Sequence, residues 1–97
     1  MSDELHFYIV VYDISNDRRR TRLHKRLLDY GSPVQYSVFE CLLNDRDLQK
    51  MKKMIQRTIK EREDQVRIYH LCEACLKKTW LSKASTEVLD DPNSIVV

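Results

Sequence analysis

Phe7-Tyr8-Ile9-Val10-Val11-Tyr12-Asp13 is an unbroken apolar and aromatic run that closes on a carboxylate. It is too short for a useful helix and rich in β-branched residues, so it reads as a strand from about His6 to Asp13, buried on both faces. Alternation assigns Phe7, Ile9, Val11 and Asp13 to one face and His6, Tyr8, Val10 and Tyr12 to the other. Both faces need a cover. The run opens into Ile14-Ser15-Asn16-Asp17-Arg18-Arg19-Arg20, so an acid from a buried strand is delivered to the edge of a basic surface. A metal ion could meet a phosphate there.

Working outward, Ser15, Asn16 or Asp17 can cap a helix whose apolar positions Leu23, Leu27 and Tyr30 recur at helical spacing. Arg18, Arg22, Lys25 and Arg26 fall mostly elsewhere on its wheel. Gly31, the single glycine of the chain, is expected to stop that helix in a left-handed conformation, with Pro33 blocking continuation. Val34 to Leu43 has strand character but is long for one strand, and Gln35, Ser37 and Glu40 interrupt it. A bent or bulged pair of short strands is expected. Asn44, Asp45 and Asp47 supply a cap and first-turn charge for a second helix, with Leu48, Met51, Ile55 and Thr58 or Ile59 inward and Lys50, Lys53, Arg57 and Lys60 outward. Gln65 to Cys72 alternates as a further strand. Glu73 to Thr86 is ambiguous, with Trp80 and Leu81 expected to be buried, and Ser94 to Val97 reads as a small last strand.

The order strand, helix, strand pair, helix, strand is βαββαβ. This is the plan of an α+β, ferredoxin-like sandwich with two helices on one face of an antiparallel sheet and an extra C-terminal strand. A single domain over residues 1–97 follows, with a flexible leader at 1–5 and a tail at 83–97. Because the first strand is apolar on both sides, the free sheet face is expected to meet an identical subunit, with the tail strand crossing to the partner sheet.

Composition bounds the function. The net charge is only +2, yet Ile14 to Arg62 holds 13 Lys/Arg against 6 Asp/Glu while both ends are acidic. An uneven balance of this kind suits a surface that meets a polyanion, although charged helix faces are more often merely solvated. Three cysteines, an odd number, and no N-terminal signal pattern point to a reduced cytoplasm. No apolar run approaches the roughly 20 residues needed to cross a bilayer.

Val11-Tyr12-Asp13-Ile14, then Asp17 and a string of arginines, then Gly31 followed by Val34-Gln35-Tyr36-Ser37-Val38-Phe39-Glu40, form a paired signature. In these motifs the chain resembles the CRISPR-associated Cas2 family, the small partner of the spacer-acquisition integrase, from Phe7 through Leu76. The resemblance implies a ferredoxin-like homodimer that binds duplex DNA between dimers of the integrase Cas1. It also implies metal-dependent nuclease activity on RNA or DNA. By position it makes Asp13 the metal-binding aspartate, Tyr12 its neighbour, and Arg20 and Arg22 the arginines near the active site. Ser37 and Phe39 are its residues in the second motif, so Asp13, Arg20, Arg22 and Phe39 form the expected catalytic set.

The residues themselves support part of this. Mg²⁺, with Mn²⁺ as a substitute, binds through one or two carboxylates and retained waters, so one Asp13 per chain becomes sufficient if a twofold axis brings two together. The bland reading is a strand-end carboxylate capping a turn. Arg18, Arg19, Arg20, Arg22, Lys25 and Arg26 read as a phosphate-contacting surface that positions a backbone without reading bases, compatible with duplex DNA or single-stranded RNA. His6, His24 and His70 lack a partner nearby in sequence and read as ordinary histidines. Cys72-Glu73-Ala74-Cys75 has metal or redox spacing. A zinc site needs four ligands, which Cys41 and His70 would have to complete, so buried strand-end thiols are the plainer reading.

Overall fold

The computed structural model describes residues 4–82 of the chain; the expected C-terminal strand lies outside them. Strand β1 (His6–Asp13) leads to helix α1 (Asp17–Leu27), strands β2 (Gly31–Gln35) and β3 (Val38–Leu43), helix α2 (Asp45–Thr58), strand β4 (Gln65–Leu71) and the short helix α3 (Glu73–Lys77). The four strands form one sheet in the order β2-β3-β1-β4, with every neighbouring pair antiparallel. The opening run is thus the inner strand flanked by β3 and β4.

Alternation along β1 resolves as the period of two requires. Tyr8, Val10 and Tyr12 are buried and form one core with Phe39, Cys41 and Leu43 of β3, Leu23 and Leu27 of α1, and Leu48, Met51 and Ile55 of α2. Both helices therefore lie on that face. Asn16 accepts a hydrogen bond from the Arg19 N–H at 3.0 Å and Asn44 from the Asp47 N–H at 2.8 Å, satisfying amides that the first helical turns leave open.

The opposite face carries Phe7, Ile9 and Val11 of β1, Val38 and Leu42 of β3, and Tyr69 and Leu71 of β4. Its residues on β1 are only half-buried, since no described element covers this face of the sheet. Glu40 stands among them, across from Ile9, and burial pushes its carboxyl above the usual carboxylate range.

Gly31 departs from the expected helix stop. No described glycine has a positive φ, and Gly31 begins β2 opposite Cys41. Its requirement is steric: a Cβ there would overlap the Glu40 carbonyl oxygen and stand 2.6 Å from Cys41 Sγ. Gly31→Ala is therefore expected to cost about 1–3 kcal/mol through overpacking, read as a lower urea midpoint; an unchanged midpoint would contradict it. The strand pair is a hairpin whose register shifts between Pro33 and Gln35, a bulged pair as expected, but its first strand begins at Gly31, ahead of the expected Val34. Trp80 departs from expectation, being 72% exposed.

Candidate active site

Asp13 is the last residue of β1 and is exposed. It shares the open sheet face with Phe7, Ile9 and Val11, and its cross-strand neighbour is Gln65, the first residue of β4. The strand end behind it is held from two sides. The Tyr12 backbone N–H donates to the Ser37 carbonyl at 3.1 Å. The Tyr12 hydroxyl lies 3.4 Å from His24 Nδ1 and 3.4 Å from the Tyr36 carbonyl oxygen. Burial raises the Tyr12 phenol above its ordinary value, so it stays a neutral donor. His24 thus has a partner that sequence spacing did not reveal, and its ring packs edge-on to Phe39 with centroids 5.1 Å apart.

Phe39, expected in the catalytic set, is fully buried between the sheet and the helices. A side chain without accessible surface touches no substrate, so its place is behind the site, packed against His24 and near Tyr12. Arg20 donates to the Ile14 carbonyl at 3.0 Å and pairs with Asp17, clamping the loop that follows Asp13. Tyr36, at the hairpin turn, is 81% exposed.

The six basic residues expected to contact phosphate divide by partner. Arg19 is bidentate on Asp64, at 2.8 Å from Nε and 3.1 Å from a terminal nitrogen, and also reaches Glu63 at 2.9 Å. Arg26 turns to Thr58 Oγ1 at 2.6 Å and ties α1 to α2. Arg18, Arg22 and Lys25, with Asp17 and Thr21, line an open groove along α1. Lys50, Lys53 and Arg57 are exposed on α2.

The Arg19–Asp64 contact has a measurable consequence. The Arg19 guanidinium, with the Lys60 N–H at 2.7 Å, holds the buried Asp64 carboxyl below its ordinary value near 3.8. A carboxyl depressed in the folded state contributes stability above its unfolded pKa and loses it as pH falls through the folded value. Stability is therefore expected to decline below about pH 4, and Arg19→Ala to lower stability at neutral pH while flattening that decline. Urea denaturation across pH checks both.

As a cation site, Asp13 offers one hard, accessible oxygen donor. No group of three or more His, Cys, Asp or Glu able to hold a metal occurs among the described residues. That donor set fits Mg²⁺, which keeps several waters and accepts one or two carboxylates together with phosphate oxygens. It does not form a complete protein cage within one chain. Cys41 is buried in the core beside Met51, so it cannot complete a zinc site with Cys72 and Cys75, and burial pushes its thiol up to about 12. No helix among the described residues is long and apolar enough to cross a membrane.

The chain is similar to known proteins. The family described as CRISPR associated protein Cas2 matches residues 6–79. The chain is 44% identical over 70 residues to "CRISPR-associated endoribonuclease Cas2 1" of Chloroflexus aurantiacus, covering 71% of this chain and 75% of that protein. It is 44% identical over 62 residues to "CRISPR-associated endonuclease Cas2 2" of Thermus thermophilus, covering 64% and 69%. A chain in the solved "Partial Cas6-RT-Cas1--Cas2 complex" superposes with a TM-score of 0.67 at 29% identity, covering 76% of this chain and 87% of that one. The family match begins with β1 and runs past α3, taking in Asp13, the basic helix and the hairpin, and the chain belongs to the CRISPR-associated Cas2 family.

Proposed function

We propose that this protein is a homodimeric, Mg²⁺-dependent nuclease of CRISPR adaptation, hydrolysing phosphodiester bonds of RNA or DNA and binding duplex DNA together with Cas1. The observation that carries the reading is the position of Asp13, an exposed carboxylate on the same face as the apolar patch of Phe7, Ile9, Val11 and Leu42. Burying that patch against a second copy of the ferredoxin-like sheet turns the two Asp13 carboxylates toward one seam. The names of the relatives, an endoribonuclease and an endonuclease, support the chemical class, and the Cas1–Cas2 assembly supports the partner.

In this reading Asp13 and its symmetry mate hold the cation. A Mg²⁺ ion held there would supply polarisation of a phosphodiester oxygen and a water of lowered pKa. The chain's own residues prepare the rest. Tyr12, held by Ser37, Tyr36 and His24, fixes the strand end that carries Asp13, because a carboxylate that wanders cannot hold a productive geometry. Arg20, clamped on Ile14 and Asp17, keeps a positive charge near the reacting phosphate, and Arg22 offers a second one from the groove. Fixed cations of this kind stabilise the extra charge of an in-line displacement. Arg18 and Lys25 extend the contact along the backbone, with Arg19 and Arg26 bracing the helix that presents them.

A second reading makes the protein an architectural DNA-binding scaffold of the integrase complex without turnover. It is favoured by the groove of Arg18, Arg22 and Lys25 and by the exposed lysines of α2, which a dimer would repeat along a duplex. Phosphate contacts of this type make binding insensitive to sequence and weaker in salt. Replacing Arg18, Arg22 and Lys25 by Gln is expected to lower duplex affinity and reduce the salt slope by roughly one unit for each cation that no longer neutralises a phosphate. Unchanged affinity and slope would remove the scaffold reading. Failure of the purified dimer to cut RNA or DNA across Mg²⁺, Mn²⁺ and a broad pH range would remove the nuclease reading.

A further inference from the structure

Leu71 ends β4, and the chain turns at Cys72 into α3. The first turn brings Cys75 back toward Cys72, so the two Sγ atoms lie 3.4 Å apart. Both thiols are free and exposed, contrary to the expectation that they are buried packing residues. Cys41, the third, is buried and its thiol is held in the protonated form. The chain therefore carries one accessible vicinal pair and one shielded thiol. The pair follows the far end of β4 from Gln65, the neighbour of Asp13, about 20 Å along a seven-residue strand. It takes no part in the site described above.

We propose that Cys72 and Cys75 form a reversible dithiol–disulfide couple, a modification site whose oxidant is another disulfide. The geometry favours this over other uses. Joining the sulfurs needs a closure from 3.4 Å to a bond length of about 2.05 Å, within reach of side-chain rotation on an exposed turn. Two thiols fall short of the four ligands of a structural zinc site, and no third ligand joins them among the described residues. A bridge across so few residues closes little chain entropy, so its value is as a redox couple rather than a staple.

The two cysteines are also unequal. The backbone N–H of Cys75, then the Cys75 thiol and the Ala74 N–H, lower the Cys72 pKa, while the Cys72 sulfur raises that of Cys75. Cys72 is the attacking thiolate and Cys75 the resolving thiol. Cys72 Sγ attacks one sulfur of the oxidant RS–SR, forming a mixed disulfide and releasing RS⁻. Cys75 then gives up its proton and attacks Cys72 Sγ, forming the internal bond and expelling the second RS⁻. The protein loses two electrons and two protons, and the oxidant becomes two RSH.

The test uses the full reduced chain, incubated near neutral pH with excess oxidised glutathione, followed by intact mass measurement and mapping of alkylated cysteines. Expected is the loss of two hydrogens, simultaneous protection of Cys72 and Cys75, alkylation of Cys41 only after unfolding, and full reversal by dithiothreitol. Cys75→Ser should stop at a glutathione adduct on Cys72, and Cys72→Ser should slow reaction at Cys75 by roughly tenfold or more. A wild-type chain that stays reduced, that keeps a stable glutathione adduct, or that oxidises only by linking separate chains would overturn the proposal. So would absence of an adduct on Cys72 in Cys75→Ser.

Discussion

Asp13→Asn is expected to lower metal-dependent cleavage by about a hundredfold or more, with dimer formation, thermal unfolding and duplex binding unchanged. The substitution keeps the shape of the side chain and removes its negative charge. Asp13 is exposed and ends its strand, so the fold does not depend on that charge. A hard cation does, since a neutral amide replaces an ionised oxygen donor. Single-turnover cleavage of a labelled RNA and a labelled DNA, with sedimentation velocity on the same sample, checks all three parts. Cleavage at the wild-type rate would end the nuclease role of Asp13. Integration that survives in Asp13→Asn would leave the scaffold role standing by itself.

The second large effect concerns Phe39, which is 0% exposed and lies at the centre of the core. Phe39→Ala is expected to cost about 3–5 kcal/mol, combining the lost burial with a cavity that neighbours fill only partly. Small domains hold roughly 5–15 kcal/mol in total, so the variant should sit close to its unfolding threshold. Urea denaturation should show a much lower midpoint at unchanged slope. Phe39→Leu should lose less stability and cut at the wild-type rate per folded molecule, because Phe39 acts through packing against His24 and Tyr12. Wild-type stability in Phe39→Ala, combined with lost cleavage, would instead make Phe39 a substrate contact.

The two faces of β1 were legible because a period of two separates Tyr8, Val10 and Tyr12 from Phe7, Ile9 and Val11 whatever surrounds them. Caps were legible too, since Asn16 and Asn44 act within their own turns. What failed depended on distant partners. Gly31 before Pro33 looks like a helix stop, yet its demand comes from Glu40 and Cys41 on the neighbouring strand. The arginine string reads as one charged surface. Asp64, 45 residues away, removes Arg19 from it, and Thr58, 32 residues away, engages Arg26.

The site shows the same division. Asp13 and the arginines announce themselves by residue type and by the motifs around them. Gln65 beside Asp13 and His24 behind Tyr12 do not, because strand register and helix packing bring them there. Tyr36 lay inside the second motif, but its exposure and its carbonyl contact with Tyr12 needed the hairpin turn. Cys72 and Cys75 were misjudged for a related reason: the strand stops at Leu71, and the following turn carries both thiols to the surface.

In the proposed function, two copies of this sheet share one cation between their Asp13 carboxylates. Mn²⁺ titration of the dimer, followed by electron paramagnetic resonance, tests it most directly. One tightly held Mn²⁺ for every two chains is expected, lost in Asp13→Asn while the dimer persists. One Mn²⁺ per chain, or tight binding that survives Asp13→Asn, would contradict it.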